Sequence, residues 1–249
     1  MALTLSDQDI AYSDDELAKL NVEFEDRTTP EIIEWAVSSF APHLSLTASM
    51  TDAVLIDQAV KVEPAIEVVF IDTGYHFPET LETMERIRRH YGMNLKVMTV
   101  QPQSEDLWVA DPENCCSAVK VGQLDRALQG KLAWMSGLRR TEAITRATAP
   151  VVGRDIRGLV KINPIATWTE ADVQGYIADH GVIINPLASW TDQDVEGYIA
   201  DHDVIVNPLR NRGYLSIGCQ PCTHLPTDPN DPRSGRWIGQ DKTECGLHD

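Results

Sequence analysis

The five cysteines are the most reactive side chains of the sequence, and they fall into two close pairs and one single residue. The pairs are Cys115-Cys116 and Cys219-x-x-Cys222, and Cys245 stands alone. A Cys-x-x-Cys spacing places two thiolates on one metal ion or cluster, and a fold can bring a second pair to the same centre. The paired cysteines therefore indicate an iron–sulfur cluster or a structural zinc site, with two unrelated pairs of buried thiols as a further alternative.

Cys245 is the candidate nucleophile. It lies in the segment ECGLH, and Arg233, Arg236, Lys242 and His248 are close to it in the sequence. Cationic neighbours favour the thiolate, which is the form of cysteine that attacks electrophiles. The alternative is an exposed cysteine without a function.

Three polar segments follow short apolar runs and could bind an anion. Residues 45–52 place small hydroxyl side chains ahead of a helical pattern, and the N–H groups at a helix N-terminus can hold an anion. Residues 71–80 join a β-type run to a helical one, and residues 137–146 contain three arginines suited to phosphate or sulfate. Each segment taken alone is also typical of a surface loop, because serine and threonine cap many helices.

The composition is that of a soluble globular protein with an acidic surface. The chain has 249 residues, of which 43% are hydrophobic and 24% charged, and its formal net charge is −17. This length favours one large domain. No apolar run approaches the roughly 20 residues of a membrane span, and the first residues lack a signal-peptide pattern, so we expect a cytoplasmic protein. The charge disfavours a nucleic-acid partner, and an anionic small substrate would require a local basic pocket.

Short β-type runs alternate with helical patterns along the first 162 residues, after two expected helices before residue 41. The β-type runs fall at 44–47, 66–71, 95–100, 132–135 and 159–162, with helical patterns at 53–61 and 79–91. This alternation predicts an α/β fold with a parallel sheet flanked by helices. In such sheets a ligand lies beyond the carboxyl ends of the strands, which is where the three polar segments fall.

A tandem repeat with a period of 22 residues follows these elements. Residues 163–184 read NPIATWTEADVQGYIADHGVII and residues 185–206 read NPLASWTDQDVEGYIADHDVIV, with 15 identical positions. Each copy predicts an Asn-Pro turn and a short amphipathic helix that begins after a threonine cap. Two copies are too few for a solenoid.

Together these motifs resemble those of the bacterial assimilatory adenosine 5'-phosphosulfate (APS) reductases, within the wider family that includes the reductases of its 3'-phosphorylated form (PAPS). The resemblance rests on Cys115-Cys116, on SIGCQPC at 216–222 and on the ending KTECGLH at 242–248. It extends from about residue 40 to the end. Residues 45–52 resemble the modified PP-loop of that family. The implied fold is a Rossmann-like sheet of the adenine nucleotide alpha hydrolase-like (PP-loop) type.

The resemblance implies a role for each matching residue. A [4Fe–4S] cluster is expected on Cys115, Cys116, Cys219 and Cys222, and Cys245 is expected to be the catalytic nucleophile. The expected substrate contacts come from the PP-loop, the strand ends, the segment at 137–146 and the tail: Thr47, Ser49, Asp52, Ile71, Lys120, Gly137, Arg139, Arg140, Arg146, Arg233, Arg236 and His248.

The implied reaction is the reduction of APS to sulfite and AMP through an S-sulfocysteine on Cys245, with thioredoxin or glutaredoxin as the reductant. The backbones of Ile71 and Gly137 are expected to read the adenine, and the tail arginines to hold the phosphosulfate. Because PAPS reductases usually lack both cysteine pairs, the cysteines favour APS. The alternatives are PAPS as the substrate, a PP-loop enzyme that uses ATP for sulfur transfer, and a non-catalytic zinc module.

The implied organisation has three parts. An N-terminal helical segment at 1–40 precedes a nucleotide-binding domain with the iron–sulfur site at 41–222, and a mobile catalytic tail follows at 223–249.

The repeat departs from the family pattern, which has one such segment before the CxxC pair. Because residues 185–206 lead into the CxxC segment, we expect them to dock in the native manner. Residues 163–184 would then form an added helical arm. Its apolar face, formed by Trp168, Tyr176 and Ile177 together with Val173, would be only partly buried and would promote association into homo-oligomers.

Overall fold

The computed structural model describes residues 12–74, 76, 78–99, 120–182, 212–214, 224–228 and 234–239. The five cysteines, the second copy of the repeat, Arg233 and His248 lie outside these residues. What the sequence predicts for those positions therefore stays a prediction.

A six-stranded sheet runs through the described part of the chain in the order β3-β2-β1-β4-β6-β5. Its strands are β1 (Leu44–Thr47), β2 (Glu67–Asp72), β3 (Asn94–Thr99), β4 (Ala133–Ser136), β5 (Val152–Arg154) and β6 (Val160–Ile162). Neighbours are parallel except for β5 and β6, which are antiparallel. The predicted parallel sheet is confirmed. The sequence does not predict β5, whose residues Val-Gly-Arg contain a single apolar side chain, whereas β6 falls within the apolar run at 159–162.

Helices cover this sheet, and several of them begin after a capping side chain. They are α1 (Asp14–Phe24), α2 (Thr29–Phe40), α3 (Val54–Val62), α4 (Pro78–Tyr91), α5 (Gly122–Ala127) and α6 (Glu170–His180). Ser13 caps α1 by accepting from the N–H of Glu16, and Thr169 caps α6 in the same way. No helix of the described residues is long and apolar enough to cross a membrane.

The hydrophobic core fills both faces of the central strands. Leu46 of β1 and Met135 of β4 are paired in register, and both are 0% exposed. Ile33 of α2 joins the same core. Burying an aliphatic side chain of this kind stabilises a fold by about 1.5–3 kcal/mol. The central strands therefore hold the loops at their carboxyl ends on a rigid support.

The N-terminal helices are packed on this core. α1 lies against β5, where the side-chain oxygen of Asn21 accepts from the N–H groups of Val151 and Val152 at 2.8 and 3.2 Å. Leu17 on the same helix is buried. The helix therefore covers an edge strand that would otherwise leave its N–H groups unpaired.

The first copy of the repeat docks on the core, so the prediction that residues 163–184 form an added arm is wrong. Val173 is 3% exposed, and the hydroxyl of Tyr176 donates to Asp57 of α3 at 2.7 Å. Trp168 and Ile177 are partly buried against the same core. The face that the sequence assigns to an arm is the face that attaches α6 to α3.

Chain connection explains why this copy docks. β6 ends one residue before Asn163, whose amide donates to the carbonyl of Pro150 at 2.8 Å and accepts from the hydroxyl of Ser136 at 2.7 Å. The next residue, Pro164, accepts from Thr29 of α2 at 3.1 Å. Elements that follow one another in the chain usually pack together, and this anchored turn delivers the nearer copy to the core.

Candidate active site

A cavity of about 240 Å³ opens at the carboxyl ends of β1, β2 and β4. This is the position at which a parallel α/β sheet binds its ligand. The segments at 45–52, 71–80 and 137–146 all contribute to its wall. Eight of the predicted substrate contacts line it: Thr47, Ser49, Asp52, Ile71, Lys120, Gly137, Arg139 and Arg146.

The segment after β1 reaches the cavity through a tight turn. Met50 has a left-handed backbone with φ 61° and a side chain only 1% exposed. Non-glycine residues adopt this conformation rarely, and they do so mainly at turns and functional sites. Thr47 donates to the carbonyl of Met135 at 3.2 Å, and Ser49 and Thr51 share a hydrogen bond of 3.1 Å. The turn thus presents hydroxyl groups and backbone N–H groups to the cavity ahead of α3.

Asp52 closes this turn. Its carboxylate accepts from the N–H of Val54, the first residue of α3, at 3.0 Å. Burial raises the pKa of Asp52 above its ordinary value, and the nearby carboxylates Glu142 and Glu170 add to the rise, although Arg139 opposes it. The ionised form of Asp52 is therefore less favourable at the wall of the cavity than it would be in water.

Two arginines supply most of the positive charge of the cavity. Arg139 follows β4, and Arg146 lies in the second of two short 3₁₀ turns after it. Their side chains are 14% and 15% exposed. Glu142 accepts from Arg139 at 3.3 Å and from Arg146 at 2.5 Å. Glu170, at the start of α6, accepts from Arg139 at 2.8 Å.

Arg140 is not brought to the cavity, although it is next to Arg139 in the sequence. Its guanidinium donates to both carboxylate oxygens of Glu25, at 2.6 and 2.8 Å, and to the carbonyl of Ala149 at 2.8 Å. The pair lowers the pKa of Glu25, chiefly through the hydrogen bonds from Arg140. Arg140 therefore attaches this loop to the N-terminal helices.

The end of β2 carries a feature that the sequence analysis does not single out. The ring of His76 lines the cavity and contacts the carbonyl of Ile71 at 3.0 Å. The same ring lies 5.0 Å from that of Phe70. The backbone of Ile71, expected to read the adenine, is thus covered by an aromatic side chain at the cavity wall.

Two described segments of the tail, residues 224–228 and 234–239, approach each other closely. The N–H of His224 donates to the carbonyl of Gly235 at 2.8 Å. A Cβ atom at Gly235 would lie 2.3 Å from the oxygen of His224, so only glycine fits there. Arg236 stacks on the ring of Trp237, with 4.6 Å between the guanidinium carbon and the ring centroid. Arg236 is not among the residues that line the cavity.

Several residues of the cavity wall escape the sequence analysis. His76 and Glu142 fall inside the motifs at 71–80 and 137–146, so the motif positions could have indicated them. Ser136 is the last residue of β4, and a polar residue at the carboxyl end of a parallel strand is itself an indication of a ligand site. Ile165 and Val173 come from the repeat, and their role depends on which copy docks. Pattern alone does not decide that.

The charges of the cavity suit a dianion. Lys120, Arg139 and Arg146 outnumber the carboxylates of Asp52 and Glu142 in its lining. This cationic surplus stands within a chain whose net charge is −17. The described residues contain no group of three or more His, Cys, Asp or Glu placed to hold a metal ion.

Comparison with known proteins identifies relatives of the whole chain. The sequence matches the family model of the phosphoadenosine phosphosulfate reductase domain over residues 41–188 and again over residues 182–225. The two matches overlap at residues 182–188, where the first copy of the repeat passes into the second. The family pattern thus resumes within the repeat, as one extra copy of a segment would require.

Curated relatives resemble the chain over most of its length. An adenosine 5'-phosphosulfate reductase of Streptomyces coelicolor is 43% identical over 237 residues, which cover 91% of this chain and 90% of that protein. One of Mycobacterium tuberculosis is 46% identical over 214 residues, which cover 82% and 75%. The crystal structure of the phosphoadenylyl-sulfate (PAPS) reductase from Candida auris, a phosphate complex, superposes with a TM-score of 0.63 at 25% identity, covering 90% of this chain and 100% of that one.

Proposed function

Because the chain belongs to the phosphoadenosine phosphosulfate reductase domain family, we propose that it is an oxidoreductase of sulfate assimilation that reduces APS to sulfite and AMP. The observation that carries this proposal is the cavity at the strand ends, where Lys120, Arg139 and Arg146 face the turn of Thr47 and Ser49. APS is an adenine nucleotide with two negative charges. The cavity offers cations for the phosphosulfate and backbone at the strand ends for the base.

The nucleotide occupies the cavity in a defined orientation under this proposal. The adenine lies against the ends of β2 and β4, where Ile71 and Gly137 line the wall. The phosphosulfate lies between the PP-loop and the arginines, with Arg233, Arg236 and His248 of the tail closing on it. Fixed cations in a cavity shielded from water stabilise the charge that develops on a departing phosphate.

Cys245 performs the chemistry. Its thiolate attacks the sulfur of APS, a sulfur–sulfur bond forms, the bond from sulfur to the phosphate oxygen breaks, and AMP leaves with that electron pair. A thiolate of thioredoxin then attacks the sulfur of Cys245, and sulfite leaves with the electrons of the broken bond. A second thioredoxin thiol resolves the mixed disulfide, so thioredoxin is oxidised and Cys245 is regenerated. Glutaredoxin has the same dithiol chemistry and is the alternative donor.

Four cysteines provide the donor set for a [4Fe–4S] cluster. Cys115, Cys116, Cys219 and Cys222 form two pairs of thiolates, the ligands that such clusters require. Lys120, only four residues after Cys116, lines the cavity, and four residues of chain span at most about 14 Å. This short connection supports the proposal of a cluster near the substrate site. When bound, the cluster would shape the site and its electrostatic field.

The tail and the reducing compartment complete the proposal. The glycine-containing segment 223–249 carries Cys245 to the substrate and then out to the reductant, since the two attacks need different partners. Free reactive thiols and thiolate-bound iron persist in a reducing cytoplasm. We therefore place the enzyme there.

PAPS is the second candidate substrate, because the solved structure described above is a PAPS reductase. The two cysteine pairs and the relatives named APS reductases at 43% and 46% identity favour APS. Turnover with APS should exceed turnover with PAPS by more than tenfold, which corresponds to about 1.4 kcal/mol or more in transition-state binding. Equal kcat/KM values would remove the preference for APS.

The decisive test uses the full chain purified without oxygen. Wild-type protein incubated with APS and no reductant should acquire a sulfite-derived group on Cys245, located by peptide mass spectrometry. Cys245→Ser should bind APS and release no sulfite. An adduct on another cysteine would refute the assignment. Metal analysis tests the cluster: iron and acid-labile sulfide in equal amounts support it, and zinc without sulfide supports the zinc module instead.

A further inference from the structure

The two arginines of the cavity already hold a carboxylate that belongs to the protein. Glu142 lies between them and contacts Arg139 at 3.3 Å and Arg146 at 2.5 Å. It lines the cavity, and its side chain is 30% exposed. A carboxylate in this position has the charge and the geometry of the anion that arginines at such a site would bind.

We propose that Glu142 is an internal competitor that pairs with the arginines of the cavity and is displaced by the anionic group of the substrate. This inference rests on the proposed function, since it takes Arg139 and Arg146 as binding groups of APS. Glu142 would thereby set how strongly the site prefers charged nucleotides. A ligand must carry enough negative charge to replace it.

The geometry of the contacts supports displacement. The guanidinium of Arg139 reaches Glu142 through one nitrogen at 3.3 Å, and the backbone N–H of Arg139 donates to the other oxygen of that carboxylate, also at 3.3 Å. The guanidinium of Arg140 in the same loop instead donates to both oxygens of Glu25, at 2.6 and 2.8 Å. Two parallel hydrogen bonds from a guanidinium hold a carboxylate more firmly than one long bond does. The contact between Glu142 and the Arg139 guanidinium is therefore the easier of the two for a ligand to replace.

Carboxylates of the protein offset part of the positive charge of the cavity. Asp52 is the other carboxylate of the lining, and Glu170 engages Arg139 from outside with a side chain that is 60% exposed. Removing the charge of Glu142 would leave less negative charge from the protein to offset Arg139 and Arg146. Binding of a charged ligand should then become tighter, and binding of a neutral one should not change.

Isothermal titration of the full anaerobic protein with AMP and with adenosine tests this inference. Glu142→Gln keeps the shape of the side chain and removes its charge. We expect it to bind AMP about threefold to tenfold more tightly, and adenosine within about twofold of wild type. Glu142→Ala should change AMP binding in the same direction. The gain should shrink at high ionic strength, because the competing contact is electrostatic.

Glu25→Gln is the matched control. It removes the carboxylate charge that pairs with Arg140, an arginine of the same loop that does not line the cavity. It should leave the binding of both ligands unchanged. AMP binding that Glu142→Gln leaves unchanged or weakens would overturn the inference alone, because Glu142 would then be a bystander or a positioning residue. Failure of wild-type protein to bind AMP would remove the proposed function and this inference with it.

Discussion

The loop after β4 has two faces, and each carries an arginine paired with glutamate. One of these arginines lines the cavity, and the other anchors the loop to the N-terminal helices. On the cavity face, the guanidinium of Arg139 meets Glu142 and Glu170 through one nitrogen each, at 3.3 and 2.8 Å. On the outer face, Arg140 holds both oxygens of Glu25 and the carbonyl of Ala149. Arg139 is the extended residue before the 3₁₀ turn that begins at Arg140, and the two side chains reach different partners, so one face of the loop lines the cavity and the other anchors the loop.

The difference lies in what each arginine can still do. The outer pair joins the loop to the N-terminal helices through a two-point contact that lies outside the cavity. The cavity pair is held by carboxylates that a ligand can exchange for its own oxygens. A stable outer face gives the cavity face a fixed position, which is what transition-state binding requires.

The largest expected effect is on the cavity face. Arg139→Ala should lower kcat/KM for APS at least about 100-fold, or about 2.7 kcal/mol, because it removes a cation aimed at the developing charge. Arg139→Lys should recover only part of this, since lysine lacks the planar donors of arginine. Steady-state kinetics measures both. A thermal melt close to that of wild type would show that the loss is not one of folding.

The next effect concerns the helix that supplies Glu170 to the cavity face. Tyr176→Phe removes the bond of 2.7 Å from the Tyr176 hydroxyl to Asp57, and we expect a loss of about 1–2 kcal/mol in the free energy of unfolding, since bonds to charged groups are among the stronger ones. Lys61, at 2.6 Å from Asp57, limits the loss by keeping that carboxylate paired.

The second copy of the repeat provides the control. Tyr198 occupies the position of Tyr176 in that copy, so Tyr198→Phe changes the same group in a nearly identical sequence. It should change stability by less than about 0.5 kcal/mol. Chemical denaturation of both variants decides the matter. The reverse result would mean that the second copy is the one that docks.

The sequence predicts much of the fold because its signals are local. Short apolar runs separated by helical patterns predict the parallel sheet, and the polar segments at the strand ends predict the cavity at its carboxyl edge. Thr47, Asp52 and Arg139 line that cavity because strand direction alone brings them there.

Other features depend on long-range choices that no local pattern contains. Arg140 looks like Arg139 in the sequence, and only the position of α1 and Glu25 makes it an anchor. The two copies of the repeat share the apolar residues that dock, so composition does not rank them. The turn at Asn163, fixed by Ser136 and Pro150, decides between them through chain connection.

A smaller effect tests the outer face. A double-mutant cycle on Arg140→Ala and Glu25→Ala should give a coupling of about 0.5–1 kcal/mol at neutral pH, as expected for a partly exposed pair. Both variants should keep kcat/KM for APS within about threefold of wild type. A loss of activity comparable to that of Arg139→Ala would erase the distinction between the two faces.

The smallest effect is a pH dependence of opposite sign on the two faces, seen in unfolding free energies. The pKa of Glu25 is lowered from 4.5 by the hydrogen bonds from Arg140. Its contribution to stability is therefore present above that ordinary value and is lost as the pH falls through the folded-state pKa.

The pKa of Asp52 is raised from 3.8, mainly by burial, so its ionisation opposes folding. Asp52→Asn keeps an acceptor for the N–H of Val54 and should stabilise the protein at neutral pH, because it removes a buried charge. This gain should shrink as the pH falls through the raised pKa and vanish below the ordinary value of 3.8, where the carboxyl is neutral in the folded and the unfolded protein alike. Glu25→Gln should instead destabilise at neutral pH, and that loss should also vanish in acid. Changes of the same sign in the two variants would contradict the assignment of Asp52 to a buried cavity wall and of Glu25 to an anchoring ion pair.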